Sequence, residues 1–407
     1  MTSTSTGLTV VCLASYFKGN DFLRQCKSQG CFVILVVKEK LKDEAWALDA
    51  VDEFLTVANS ATPEVFVHAV TEIARRRHLD RIVALEEYDV MNAALIREHL
   101  RIPGMGSTTA RLFRDKLAMR VKAHDAGVRV PDFVHVLNED EVRTYMRHVE
   151  PPWVLKPRLD VSAIGIQKLP SDDLVWRAIE ALDARPVLHE RSSYYLLERF
   201  VPGEVFHVDS LVQDGEVVFA GVNRYWRPPM EVAHNGGVFV TCTVRRGSDE
   251  ERALLAMNRA LLKAMNFVRG ATHAEFIRGA ADGQFYFLEV AARVGGAYIA
   301  ETLEAATGVN VWREWANIEL ARDVRAYAPP PARTEYGGVA LALARQEWPD
   351  TSAYTDPEII HRVAKRHHVG LIVRSPDYDR VTALLGQFTE RFSSEFLAVL
   401  PPLEKAD

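Results

Sequence analysis

Residues 270–299 read GATHAEFIRGAADGQFYFLEVAARVGGAYI, and the fold turns on this stretch. It divides into two apolar strands, 271–277 and 285–290, joined by a turn at Asp282-Gly283, a dipeptide suited to positive φ. Placing Asp282 at the centre of the hairpin puts Glu275 opposite Glu289. Two carboxylates facing each other on half-buried strands repel. A divalent cation between them reverses the sign of that interaction. Arg293 and Gly295-Gly296 follow, a fixed positive fork and then backbone that a ligand can approach closely. Acids, guanidinium and exposed amides in this order suggest a site for Mg²⁺ and phosphate. An ordinary hairpin with two solvated acids is the alternative, and the rest of the chain has to decide.

The bulk composition sets the frame. With 407 residues, two to four subdomains are expected. At 48% hydrophobic and 26% charged the composition is that of a soluble globular protein, and a net charge of −6 gives no general attraction for nucleic acid or anionic membrane. No stretch is apolar for long enough to span a bilayer. The first residues lack the basic region of a signal peptide, and Cys12, Cys26, Cys31 and Cys242 show no CxxC spacing. Free buried thiols in a reducing cytoplasm are expected.

Working outward, residues 8–14, 31–37, 54–57 and 81–85 read as short strands alternating with helices at 20–29 and 63–77. This spacing predicts an α/β class with a parallel doubly wound sheet at the N-terminus. No GxGxxG follows the first strand; ligand atoms can still reach the carboxyl ends of these strands, where Glu86 and Glu87 lie, although such acids more often solvate a loop. Pro103-Gly104-Met105-Gly106 marks a first boundary. A helix over 108–126 carries Lys116, and residues 153–169 form strand, small-residue loop and strand. Two further strands at 205–212 and 216–222 turn around Asp214-Gly215, and Pro329-Pro330-Pro331 marks a linker before a last α+β stretch.

Several residues upstream of the opening hairpin have chemistry to offer. Lys156 ends a strand, and the loop holding Ser162 and Gly165 follows, so that backbone amides and one ammonium can cradle a polyphosphate. Glu198 leaves a strand where it can accept from a purine amine, beside the backbone of Phe200 and Val201, and Glu204 can accept from ribose hydroxyls. Arg224 and Trp226 open a basic-aromatic loop that runs through Glu231 and His234 to Gly236-Gly237. Such a loop can close over a carboxylate or amine substrate, with Trp226 excluding water and Glu231 or His234 assisting proton removal. His273 shares a strand face with Glu275 and is a candidate for a phosphate contact.

Taken together, PGMGSTTARLFRDKLAMRVKAHDAGVRVP, WVLKPRLDVSAIGI, LLERFVPGEVFHVD, THAEF and FLEVAARVGG resemble the ATP-grasp superfamily of carboxylate–amine ligases over roughly residues 100–320. Within it, SAIGI and the Glu231/His234 loop look most like the L-amino acid ligases that make dipeptides. The resemblance implies an ATP-grasp fold with an N-terminal Rossmann-like domain at 1–104, a phosphate-binding subdomain at 105–195, a metal and substrate lobe at 196–328 and a small α+β region at 329–407. It implies ATP, with Mg²⁺ or Mn²⁺, as cofactors. Lys116 and Lys156, with Ser162 and Gly165, would meet phosphates; Glu198, Phe200 and Val201 adenine; Glu204 ribose; Glu275 and Glu289 the metal. Arg293 would meet the γ-phosphate and the acyl phosphate, and Arg224, Trp226, Gly236, Gly237, Gly295, Gly296 and Ala297 would border the substrates.

The partners so implied are small amino acids, carboxylic acids and amines, with a homodimer the family's usual assembly and neither nucleic acid nor membrane involved. Two departures stand out: Ala291 where the family often has a metal-binding Asn, and Asp160-Val161 where glycines are common. A carboxylase of the biotin carboxylase or purine-pathway type, and a degenerate nucleotide-binding protein, are the alternatives to a ligase.

Overall fold

The computed structural model describes residues 7–160, 164–321 and 327–399. Its first sheet is parallel, with strands β1 (Thr9–Ala14), β2 (Phe32–Lys38), β3 (Glu53–Val57) and β4 (Arg81–Ala84) in the order β3-β2-β1-β4. Every residue of β1 is buried, as expected where helices cover both faces of a parallel sheet. The carboxyl ends of β1 and β4 carry Ser15 and Glu86 to the same rim, where ligands of open α/β sheets bind.

A second, four-stranded sheet contains β5 (Phe133–His135), β6 (Trp153–Pro157), β7 (Gln167–Leu169) and β8 (Tyr195–Arg199) in the order β5-β8-β6-β7. The third sheet is the largest. Its strands are β9 (Gly203–Gln213), β10 (Glu216–Tyr225), β11 (Phe239–Thr243), β12 (Gly270–Gly279), β13 (Phe285–Ala291), β14 (Tyr336–Leu343), β15 (Ile359–Arg362) and β16 (His368–Ser375). They lie in the order β13-β12-β9-β10-β11-β14-β16-β15. The strands of the last α+β stretch therefore extend the sheet of the preceding lobe, through antiparallel pairing of β11 with β14. Asp214 and Gly215, both at positive φ, close the β9–β10 hairpin in a two-residue turn.

Core side chains tie the layers together. Val11 and Leu13 of β1 belong to the same buried cluster as Phe113, Phe206, Phe276 and Phe287. Fully burying a side chain of this size contributes roughly 1.5–3 kcal/mol, so the first sheet is held to the large antiparallel sheet by packing. All four cysteines are buried free thiols.

Two local expectations change. The helix foreseen over 108–126 is two helices, Ser107–Arg111 and Lys116–Asp125. The break occurs because Asp115 leaves helical geometry to cap the second helix, accepting from Leu117 N at 3.0 Å and Ala118 N at 3.3 Å. The segment foreseen as a loop from Glu231 holds a short helix, Pro229–Asn235, begun by Pro229 in its first turn and ended at Gly236.

Candidate active site

The two acids of the opening hairpin meet as its register requires: Glu275 pairs with Glu289 across β12 and β13. A bulge immediately follows, since Phe276 pairs with Phe287, leaving Leu288 as the extra residue. The freed Leu288 carbonyl accepts from the Arg120 guanidinium. Glu275 accepts from the Tyr225 hydroxyl at 2.9 Å and lies 3.5 Å from His273 Nε2. Glu289 lies 3.1 Å from Lys116 Nζ, with its side chain 38% exposed to the cleft. Burial pushes the Glu289 carboxyl up, but Lys116 and Lys156 outweigh it and hold the group at about 2.

Lys116 occupies the first turn of its helix, an unfavourable end for a cation. Anions compensate: Glu289 on one side and, at 2.6 Å, the Asp160 carbonyl on the other. The same Asp115 that caps this helix pairs with Arg158, so the helix start and the loop after β6 are fastened together. Lys156, on β6, is buried against Glu198, whose other oxygen takes Arg120 at 2.9 Å. Burial pushes the Lys156 ammonium down to about 8, with Arg120 adding to the fall and Glu198 opposing it. Gly165 sits at positive φ beside Pro157, and Ser162 lies outside the described residues.

Arg293 joins this cleft to the first sheet. Its Nε lies 3.3 Å from Glu87, which also takes Arg114 at 2.6 Å. Neighbouring Glu86 pairs with Lys18, from the loop after β1. Glu86 and Glu87 are thus buried and bridged, contrary to the solvated loop foreseen for them. The carboxylates of Glu87 and Glu86 overcome the effect of burial and raise the Arg293 pKa, so this group stays charged.

Beside Glu275 and Glu289 runs a buried polar row, of which sequence inspection found only His273. Asp209 of β9 stands opposite His273 of β12, which stands opposite Ala291 of β13. Asp209 accepts from His207 Nδ1 at 2.6 Å and His273 Nδ1 at 2.9 Å, while His207 Nε2 meets Thr241 at 2.8 Å. His273 is therefore spent on Asp209 and Glu275, and no phosphate contact is needed to explain it. Burial alone would lower its pKa, yet the Asp209 carboxylate raises it to about 9. Gly295 completes the row: a Cβ there would fall 2.6 Å from Asp209 Oδ1 and 2.8 Å from Ile299, so only glycine fits. Ala297 and Tyr298 follow at positive φ, strained positions for residues with side chains.

Other foreseen residues lie elsewhere. Arg224 pairs with Glu204 at 2.9 Å, and Arg278 takes the second Glu204 oxygen, so these three form one network. Half-buried Phe200 carries Lys168 over its ring at 3.7 Å, and half-buried Val201 follows it. Trp226 is no free lid: it packs against the C-terminal core and its Nε1 donates to Cys242 Sγ at 3.3 Å. Glu231 is exposed, 3.9 Å from Arg227, and half-buried His234 is on the same short helix. Gly236 faces Val399, too close for a side chain, and Gly237 faces the end of the Arg227 side chain. Gly296 faces Lys18. Of the residues the sequence missed, Tyr225, Asp209 and His207 carried a usable signal, the period-two spacing that puts polar groups on one strand face. Arg120 and Lys18 carried none.

The donor set fits a hard divalent cation: two opposed carboxylates with ammonium groups offsetting their charge. Among the described residues the other cluster of metal-ligating type is His207, Asp209 and His273, but both Nδ1 atoms there already face Asp209. No helix among these residues is long and apolar enough to cross a membrane.

Comparison with known proteins bears on this cleft. Residues 149–301 match the ATP-grasp domain family. An L-arginine-specific L-amino acid ligase from Bacillus subtilis is 26% identical over 253 residues, 62% of this chain and 60% of that one. An L-amino acid ligase from Bacillus licheniformis superposes with a TM-score of 0.75 at 17% identity, covering 97% of this chain and 99% of that one. The biotin carboxylase domain of the 2-oxoglutarate carboxylase from Hydrogenobacter thermophilus, in complex with MgADP and bicarbonate, gives 0.71 at 17% identity, covering 93% and 88%.

Proposed function

We propose that this chain, which has the ATP-grasp fold, is a cytoplasmic ligase that joins an amino acid or other small carboxylic acid to an amine or second amino acid. The carboxylate would take the γ-phosphoryl group of ATP to form an acyl phosphate, and attack by the amine would release phosphate. The convergence of Lys116, Lys156, Glu275, Glu289 and Arg293 on one cleft carries this proposal. Similarity to two L-amino acid ligases supports it.

Each residue then has a physical task. Lys116 and Lys156 offset triphosphate charge at fixed points. Glu198, held by Arg120, sets the position of Lys156, and the Phe200–Val201 backbone is left for the adenine edge. Glu275 and Glu289 would hold Mg²⁺, which when bound supplies charge neutralisation on the phosphoryl oxygens. Asp209 and Tyr225 orient Glu275, the first through His273. Arg293 presents its fork to the γ-phosphate and then to the acyl phosphate. The domain limits at 104, 195 and 328 and a homodimeric assembly belong to the same proposal.

The test is to supply ATP, Mg²⁺ and pools of amino acids and to follow ADP and phosphate. Release that needs both an acid and an amine supports ligation. Release that needs bicarbonate makes the protein a carboxylase, and nucleotide binding without turnover makes it a degenerate site. Two sharper outcomes follow. The ammonium form of Lys156 binds the triphosphate and is lost above about pH 8, so kcat/KM for ATP should fall as pH rises through that value. Lys156→Arg should remove that limb of the profile, and an unchanged limb in the variant would assign it to another group. His234→Ala should raise KM for the acid or amine by about tenfold or more, with ATP affinity measured by calorimetry unchanged. Loss of ATP binding instead would move the Pro229–Asn235 helix to the nucleotide.

A further inference from the structure

A cavity of about 420 Å³ lies away from the cleft, where β4, the turn at residues 103–106 and the start of β12 meet helix Val311–Leu320. Its volume is within the roughly 300–1,000 Å³ range of small-molecule sites. Ile82, Val90, Met105, Phe267 and Trp315 give it apolar walls.

Its charges are unbalanced. Arg81, Arg97, Arg269 and Glu319 line it, and Arg269 is neutralised by Asp214 at 2.9 Å. Arg97 donates to the Ile82 carbonyl through Nε at 2.9 Å and also through Nη2, and to the Met105 carbonyl through Nη1 at 3.1 Å. Arg81 donates to the carbonyls of Glu319, at 2.8 Å, and Asp80, at 2.9 Å. Neither guanidinium forms an ion pair among the described residues. The Glu319 carboxylate opposes the Arg97 charge, with one oxygen engaged by Trp315 Nε1 at 3.0 Å. Two cations against one acid leave a net positive charge in a partly desolvated space, which is costly without a counter-anion. Burial accordingly depresses the Arg97 pKa, with Glu319 opposing.

The geometry keeps Arg97 in place. A Cβ on Gly104, at φ +145°, would fall 2.7 Å from Arg97 Cδ, so this glycine lets the turn lie directly on the side chain. Ala292, beside Arg293, and Ala271, at the start of the strand that carries Glu275, also line the space.

We propose that this cavity is a second ligand site, which takes a small organic carboxylate with an apolar body. The carboxylate meets the terminal N–H hydrogens that these carbonyls leave over on Arg97 and Arg81, and the apolar part fills the space between Met105, Phe267 and Trp315.

Hexanoate and its neutral isostere hexanamide are the probes, titrated calorimetrically into the full chain with and without Mg·ADP. Hexanoate should bind one site with a Kd on the order of millimolar, at least about tenfold tighter than hexanamide, and to the same extent with Mg·ADP present. Arg97→Gln should weaken it by about tenfold. Because that variant removes a half-buried structural side chain, Glu319→Gln is the decisive one. It keeps the acceptor for Trp315, removes the opposing charge, and should tighten hexanoate about threefold or more. Equal affinity for acid and amide, absence of binding, displacement by Mg·ADP, or no change in Glu319→Gln would each overturn the proposal. The test reads binding alone, so its outcome is independent of whether the cleft is a ligase.

Discussion

Glu289→Ala should lower turnover by at least about 10³-fold, roughly 4 kcal/mol of transition-state stabilisation. Glu275 and Glu289 are the opposed carboxylates of the hairpin, and one of them alone cannot hold a divalent cation against a triphosphate in fixed geometry. The position is also free of folding complications. The side chain is 38% exposed, so truncation opens no core cavity and the melting temperature should stay within a few degrees. Metal-free nucleotide should bind at least as well as before, because Lys116 loses its carboxylate partner. Affinity for Mg²⁺, titrated calorimetrically in the presence of a non-hydrolysable ATP analogue, should fall by about tenfold or more. Near-normal turnover in the variant would sink the site assignment. Ala291 sharpens the expectation, because no amide at that position helps the pair.

Arg293→Ala should cost about 10³-fold in kcat, with Arg293→Lys intermediate near 10²-fold. Lysine keeps the charge but loses the bidentate fork. In this structure the guanidinium rests on Glu87 at 3.3 Å, and Glu87 has a second cation, Arg114, at 2.6 Å. Removing Arg293 therefore leaves no unpaired buried acid, and the loss should appear in kcat rather than in stability. Glu87→Gln is the control. It leaves the Arg293 fork intact and should alter kcat far less than Arg293→Ala does. If the two variants were equally impaired, Arg293 would act by holding the first sheet to the cleft and not by meeting phosphate.

Much of this arrangement was legible in the chain. The pairing of Glu275 with Glu289 followed from a turn dipeptide and a period of two. Alternating short strands and helices gave the parallel sheet, and a lysine at a strand exit pointed to Lys156. Other parts were misjudged for reasons that are physical. Glu86 and Glu87 look solvated because acids at strand ends usually are; here Lys18, Arg293 and Arg114 arrive from distant segments to cover them. Trp226 looked like a mobile cover because it sits among charged and aromatic neighbours. The C-terminal helix Tyr378–Glu395 and its core fix it in place.

By itself, then, the sequence determined what depends on short-range order: strand periodicity, turn chemistry and the register that opposes two glutamates. These follow from backbone sterics and from neighbours within a few residues. The tertiary structure decided which charges neutralise one another. Arg293 reaches Glu87 across 206 positions and Arg120 reaches Glu198 across 78, and Asp209 meets His273 only because β9 and β12 lie side by side. Charge pairing depends on distance in space and on burial, and neither is set by separation along the chain.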